Sequence, residues 1–195
     1  MNICVYAASS DAVASAYLEA AEELGRLLAK NGHTLVFGGG QGGLMGACAR
    51  GAASGGGEIL GIAPRFFDEP GILFPGCTRF LYTETMRERK QLMEEHSQAF
   101  LVLPGGIGTF EEFLETLTLK QLGRHGKPMA LLNTLGYYEP LLAMLRAAAD
   151  SGFLSRGCLE LFACCDTPYE ALRHVETAPT HVCNLKRLQD YGEGT

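Results

Sequence analysis

Pro104-Gly105-Gly106-Ile107-Gly108-Thr109-Phe110-Glu111-Glu112 is the stretch from which the fold can be read. The apolar run Phe100-Leu101-Val102-Leu103 precedes it, and a helix-like pattern over residues 113–122 follows. A strand that ends in a glycine turn and opens a helix is where an α/β protein holds a phosphate. Unpaired N–H groups and the positive end of the helix converge there, and the glycines keep Cβ atoms out of the anion's way. Glu111 and Glu112 are odd neighbours for a phosphate. Thr109 and Glu112 also fit a capping box, with Thr109 at the N-cap and Glu112 at N3, worth about 1 kcal/mol to the helix without any chemistry. A cap does not require Gly105, Gly106 and Gly108. Glu111 is expected to face solvent, with Phe110, Phe113, Leu114 and Leu117 marking the buried side.

Working outward, strands and helices alternate. Ile3-Cys4-Val5-Tyr6-Ala7 reads as a buried first strand, followed by the small residues Ala8-Ser9-Ser10. An amphipathic helix over 12–30 carries Ala16, Ala20, Leu24, Leu27 and Leu28 on one face. Thr34-Leu35-Val36-Phe37 is a second strand, and it runs into a second glycine turn, residues 38–43. The helix expected over 44–54 is rich in Ala and Gly and suited to close packing on the sheet. Further strands are expected at 58–62, 79–83, 128–133 and 159–164, and further helices at 85–97, 138–150 and 169–176. Residues 64–78 hold Pro70, Pro75 and several aromatics, a loop pattern near a site or partner. This order predicts a single α/β domain: a Rossmann-like, doubly wound parallel sheet with helices on both faces, spanning 1–178, then a polar tail, 179–195. Right-handed crossovers would bring Ser9-Ser10, Gly39 to Gly43 and Gly105 to Thr109 around one crevice.

Bulk properties narrow the function. The 195 residues are 47% hydrophobic and 19% charged, which fits a soluble domain with a sizeable core. A net charge of -6 disfavours nucleic acid or an anionic membrane as the main partner. The seven cysteines contain no C-x-x-C pair, and the five histidines form no H-x-x-x-H pattern. Neither a disulfide framework nor a metal site is expected, and reduced thiols point to the cytoplasm. No apolar segment reaches transmembrane length, and the chain enters a strand at once, without a signal core.

Gly38-x-Gly40-x-x-Gly43 matches a dinucleotide fingerprint, but such a match is cheap in a glycine-rich run and here follows the second strand rather than the first. A turn for phosphate or sugar fits better than an NAD site. Neither turn contains G-x-x-x-x-G-K-[ST], which disfavours a P-loop nucleotidase. Arg87, Arg89 and Lys90 fall in the first turns of the helix that Thr85 would cap. Cations there oppose the macrodipole and call for a compensating anion. The residues alone leave two readings open, a solvated helix face or a phosphate- or base-binding arginine.

Thr85-Met86-Arg87-Glu88-Arg89-Lys90 together with the Pro104 to Glu112 stretch resembles the LONELY GUY (LOG) family, cytokinin-activating nucleoside 5′-monophosphate phosphoribohydrolases often labelled lysine decarboxylases. The family pattern, P-G-G-x-G-T-x-x-E with M-x-x-R-K upstream, is complete here. The resemblance includes residues 38–46 and Lys127-Pro128 to Tyr137-Tyr138, and extends to about Phe153. It implies hydrolysis of the N-glycosidic bond in a purine nucleoside 5′-monophosphate such as AMP or an N6-prenylated AMP, hence AMP nucleosidase chemistry without metal or organic cofactor. It places Arg89 and Glu112 at the catalytic positions. Lys90, Gly105, Gly106, Gly108, Thr109, Thr118 and Met86 then contact substrate, together with Ser9, Gly39, Gly40 and Gly43. It also implies a homodimer in which the 87–90 segment completes a neighbour's site. Arg87 stands where many members have His, and Ala8 where many have Gly.

Under that reading the glycine turn holds the 5′-phosphate while Glu112 faces the cationic ribose of the transition state. Lysine decarboxylation would require a pyridoxal-phosphate site with a Schiff-base lysine, and none can be assigned. A non-catalytic nucleotide binder like the molybdenum-cofactor carriers would not need Glu112 and Arg89. An NAD-dependent oxidoreductase would instead show nicotinamide binding.

Overall fold

Successive residues of Asn2–Tyr6 (β1) point to opposite faces of a sheet, and both faces are buried. Ile3 and Val5 belong to one core, Cys4 and Tyr6 to the other. A strand apolar on both sides must lie inside a sheet that helices cover twice. The computed structural model, which describes residues 1–180 and Val182, has that architecture. Strands Thr34–Phe37 (β2), Ile59–Pro64 (β3), Arg79–Thr83 (β4), Ala99–Val102 (β5), Met129–Leu132 (β6) and Ala163–Cys165 (β7) join β1 in one parallel sheet. Its order is β4-β3-β2-β1-β5-β6-β7.

Helices Ser15–Lys30 (α1), Gly43–Ser54 (α2) and Pro168–Thr177 (α6) contribute to the core on the Ile3 and Val5 side. Met86–Glu95 (α3), Ile107–Gln121 (α4) and Glu139–Asp150 (α5) contribute to the other. The strand order reverses at β1, where Cys4 lies opposite Val36 on one side and Phe100 on the other. This is the switch point at which open α/β sheets leave a crevice beyond the carboxyl ends of their strands.

β2 and β4 begin and end where the apolar patterns put them. Most other ends shift by one or two residues, and three elements differ in a way that matters. α1 starts at Ser15, so residues 10–14 remain a non-helical rim of the crevice. Its buried face is Ala21, Leu24, Gly25 and Leu28, because Gly25 lies against α2. A Cβ on Gly25 would stand 2.0 Å from the Cys48 carbonyl oxygen, and one on Gly51 2.0 Å from that of Glu22. The small residues of α2 therefore serve helix-to-helix contact as well as packing on the sheet. β7 is confined to Ala163–Cys165, since Arg156–Glu160 forms a 3-10 turn.

The third difference bears on the site. α4 starts at Ile107 with Gly106 as N-cap, and no side chain caps it. Thr109 is already the third helical residue, so the capping box is not formed. Leu114 is turned outward and Glu112 inward, the reverse of the expectation for Leu114. Of the expected tail, residue 181 and residues 183–195 lie outside the described residues. No helix among the described residues is long and apolar enough to cross a membrane.

Candidate active site

Three loops meet at the carboxyl ends of β1, β2 and β5 and enclose a cleft of about 750 Å³. Ser9, Ser10 and Asp11 line it after β1, Gly38, Gly40 and Gly42 after β2, and Gly106 to Thr109 after β5. Met86, Arg89 and Glu112 close one wall. Phe67, Gly71, Ile72 and Leu73, from the 65–78 loop, form another together with Met45. That loop is strapped to the second glycine turn. Gln41 N donates to Ile72 O (2.9 Å) and Phe74 N to Gly39 O (2.8 Å), with a bridge between Gly40 and Leu73.

The two glycine turns look alike in sequence but differ in chemistry. At the start of α2 two of the donors are taken. Asp11 Oδ1 accepts from Gly43 N at 2.8 Å, and Ala8 O accepts from Met45 N at 3.1 Å. A carboxylate already occupies that helix end, which disfavours a second anion there. At the start of α4 the first intrahelical bond is Phe110 N to Gly106 O (3.0 Å), which leaves the preceding N–H groups without helical acceptors. A Cβ on Gly106 or Gly108 would meet nothing within 4 Å, because both face open space in the cleft. Gly105 is different. Its Cβ would strike Thr109 Oγ1 at 2.1 Å, so Gly105 serves packing of the turn over a buried Thr109.

One helical turn inside α4, Glu112 is buried and faces Arg89 of α3, with Arg89 Nη1 3.3 Å from Glu112 Oε1. Arg89 Nε also donates to Ile62 O at 3.3 Å. Its Nη2 fills the space a Cβ on Gly38 would need, 1.8 Å away, so Gly38 admits the guanidinium. Burial pushes the Glu112 carboxyl up to about 7, and this outweighs the opposing pull of Arg89. Near neutral pH the group lies midway between acid and carboxylate.

The cations of α3 find their compensation in side chains. Thr85 and Glu88 form a capping box, with Glu88 N donating to Thr85 Oγ1 (3.2 Å) and Thr85 N to Glu88 Oε2 (3.3 Å). Arg89 pairs with Glu112. Lys90 Nζ reaches Glu111 and, at 2.8 Å, Glu115 Oε2, which ties α3 to the outer side of α4. Arg87 is exposed.

Of the anticipated residues, Ser9, Gly40, Met86, Arg89, Gly106, Gly108, Thr109 and Glu112 come together in the cleft. Gly39, Gly43, Lys90, Gly105 and Thr118 do not line it. Gly39 abuts Phe80, Gly43 gives its N–H to Asp11, and Lys90 is engaged by α4. Thr118 lies on an adjoining groove along α4 with Phe110, Leu114 and Leu119, which meets the cleft at Ile107 and Glu111. Gly38, named in the sequence only as part of the fingerprint, also lines the cleft, as do Asp11, Phe67 and Ile72. Only the aromatic, proline-rich character of 64–78 had hinted at the last two. No lysine lines the cleft, so the described residues do not offer a Schiff-base partner for pyridoxal phosphate there. No cluster of three or more metal-ligating His, Cys, Asp or Glu side chains occurs among the described residues.

A switch-point crevice that joins an open helix N-terminus to a buried carboxylate–guanidinium pair marks a ligand-binding protein of the open α/β class. Residues 45–175 match the family described as "Possible lysine decarboxylase". The chain is 40% identical over 175 residues to the probable cytokinin riboside 5′-monophosphate phosphoribohydrolase LOGL1 of Oryza sativa subsp. japonica, covering 90% of this chain and 78% of that one. It is 39% identical to the cytokinin riboside 5′-monophosphate phosphoribohydrolase LOG3 of Arabidopsis thaliana, over 92% of this chain and 84% of that one. The X-ray structure of TM1055 superposes with a TM-score of 0.69 at 25% identity, over 90% of this chain and 98% of that one. The molybdenum cofactor carrier protein of Chlamydomonas reinhardtii shares the fold, with a TM-score of 0.68 at 24% identity over 90% and 95%. This chain belongs to the LONELY GUY family.

Proposed function

We propose that this protein hydrolyses the N-glycosidic bond of purine nucleoside 5′-monophosphates, cytokinin nucleotides and AMP among them, to free base and ribose 5-phosphate. The observation that carries this reading is the buried Glu112–Arg89 pair, set one helical turn inward from the open start of α4 in the same cleft. That spacing suits a ligand with its phosphate at one end and a reacting sugar beside it. The 5′-phosphate sits on the N–H groups of Gly106 to Thr109. The bond from ribose C1′ to the base nitrogen breaks, and its electron pair leaves with the base. Water gives its hydroxyl to C1′, and its proton balances the departing base. Positive charge builds on the ribose as in glycoside cleavage. Ionised Glu112 stabilises that charge or orients the water, and Arg89 positions the nucleotide.

The test is incubation of the purified protein with AMP and with N6-prenylated AMP, followed by detection of free base. Absence of base from every nucleoside monophosphate tried would sink the proposal. Retention of full rates in Glu112→Ala and Arg89→Ala would overturn the assignment of the site alone.

The working unit in this proposal is the 1–178 domain, acting as a homodimer in the cytoplasm. Ile107, 87% exposed, stands beside Phe110, Leu114 and Leu119 on the outer face of α4. A second copy covering that face would bring Thr118 and the 87–90 segment towards a neighbouring cleft. Light scattering of the purified protein tests the dimer. The six cysteines among the described residues are all free, which suits a reducing compartment.

A further inference from the structure

The phosphate turn is held from behind, and the hold is specific to one peptide group. Leu103 O accepts from Tyr138 Oη (2.6 Å), and Pro104 O accepts from Ala8 N (3.2 Å). Gly106 O accepts from Phe110 N within α4. The remaining carbonyl, Gly105 O, accepts from Tyr137 Oη at 2.5 Å. No peptide bond among the described residues is cis. In a planar trans peptide the C=O and the following N–H point in opposite directions. The hydroxyl that fixes Gly105 O therefore also fixes the direction of the Gly106 N–H. Gly106 lines the cleft, while Gly105 and Tyr137 do not.

This peptide lies between two glycines, so rotating it meets less steric resistance than in any other residue pair. The Tyr137 ring is itself clamped. It stacks on Phe110 at 6.4 Å and meets Tyr17 and Tyr138 edge-on at 6.0 and 5.1 Å. The clamped ring leaves its hydroxyl little freedom to follow a rotated peptide. A hydrogen bond to the carbonyl also polarises the amide and strengthens its N–H as a donor.

The geometry points to Tyr137 as a positioning residue for the anionic group of the substrate. Its hydroxyl keeps the Gly105–Gly106 peptide oriented with the Gly106 N–H towards the phosphate. This rests on the proposed function, since the anion in question is the nucleotide's 5′-phosphate.

The experiment is calorimetric titration of AMP and of adenosine into wild-type protein, Tyr137→Phe and Tyr138→Phe, with base release followed in parallel. Phenylalanine keeps the ring packing and removes only the hydroxyl. Tyr137→Phe is expected to weaken AMP about tenfold, the size of one hydrogen bond to a charged group, and to leave adenosine unchanged. Tyr138→Phe, which frees Leu103 O further from the cleft, should lower the thermal midpoint but keep the AMP-to-adenosine ratio. An unchanged ratio in Tyr137→Phe overturns the positioning role while base release by the wild type stands. Equal weakening of AMP and adenosine overturns it as well, since the hydroxyl would then act only on the fold. Selective loss of AMP affinity in a protein that releases no base would support the phosphate seat and refute the hydrolase reading.

Discussion

Replacing Glu112 by Gln should make the protein more stable at high pH than at low pH, relative to wild type. Burial raises the Glu112 carboxyl from 4.5 to about 7, so the folded chain holds its proton more tightly than the unfolded chain. For a group shifted this way, stability is greatest below the unfolded value and falls as pH rises towards the folded one. Between about pH 5 and pH 8 the linkage removes about 2.5 kcal/mol from the wild type. Gln keeps an acceptor for Arg89 and cannot ionise, so the variant escapes that loss. Other carboxylates titrate alike in both proteins and cancel in the comparison. For a chain of this length the difference corresponds to a shift of about 5–10 °C in the gap between the two thermal midpoints. Scanning calorimetry of both proteins across that pH range measures it. A gap that stays constant with pH would show that Glu112 ionises in the ordinary range, and the electrostatic account of the site would fail.

Other expectations follow from the same geometry. If ionised Glu112 serves the reaction, kcat/KM should climb with pH through an inflection near 7; a flat profile from about pH 5 to pH 8 would remove Glu112 from that role. Gly108→Ala adds a Cβ that meets nothing in the chain, at a helical position where Ala is favoured by about 1 kcal/mol. It should raise the thermal midpoint and yet lower base release, because the methyl projects into the proposed phosphate seat. Gly105→Ala forces a Cβ onto Thr109 and should destabilise by about 1–3 kcal/mol, read by chemical denaturation. Phe67 and Ile72, 38% and 44% exposed on the cleft wall, offer an apolar seat for a base substituent. Each methylene buried there is worth up to about 0.8 kcal/mol, so a prenyl group half-covered by the wall gains about 2 kcal/mol. Phe67→Ala/Ile72→Ala should cut the ratio of N6-prenylated AMP to AMP turnover by up to about thirtyfold while leaving AMP turnover within a few-fold.

The fold was legible because both its signals are local. Alternating strand and helix patterns locate β2 and β4 to the residue, and glycine turns after apolar runs mark the carboxyl ends where the crevice opens. The site was legible only in part. Glu112 could be read either as half of a capping box or as an inward carboxylate, and nothing within nine residues separates these. The separation comes from Arg89, more than twenty residues upstream, which draws Glu112 inward across the α3–α4 contact. Leu114 faces outward, against its apolar pattern, for a related reason. The helix starts at Ile107, and its buried stripe runs through Thr109, Glu112, Phe113, Thr116, Leu117 and Lys120, with two polar and two charged residues among the apolar ones. Periodicity fails where a helix turns its chemistry inward.

The same logic explains why the two glycine turns could not be ranked from sequence. Each has glycines in a row ahead of a helix, and each lies beside the cleft. What distinguishes them is the neighbour across the gap. Asp11 closes the start of α2 with a carboxylate, and Ala8 O takes another of its donors, so the positive helix end is spent inside the protein. Among the described residues no carboxylate accepts from the start of α4, and the carbonyls before it are tied outward by Ala8 N, Tyr137 and Tyr138. One turn carries a carboxylate of its own chain, and the other turns its glycines to the cleft. A buried carboxylate one turn beyond the unsatisfied end would be a liability in a simple phosphate binder, because it repels the anion whenever it ionises. Its retention beside Arg89 makes sense if the group that follows the phosphate becomes cationic during reaction.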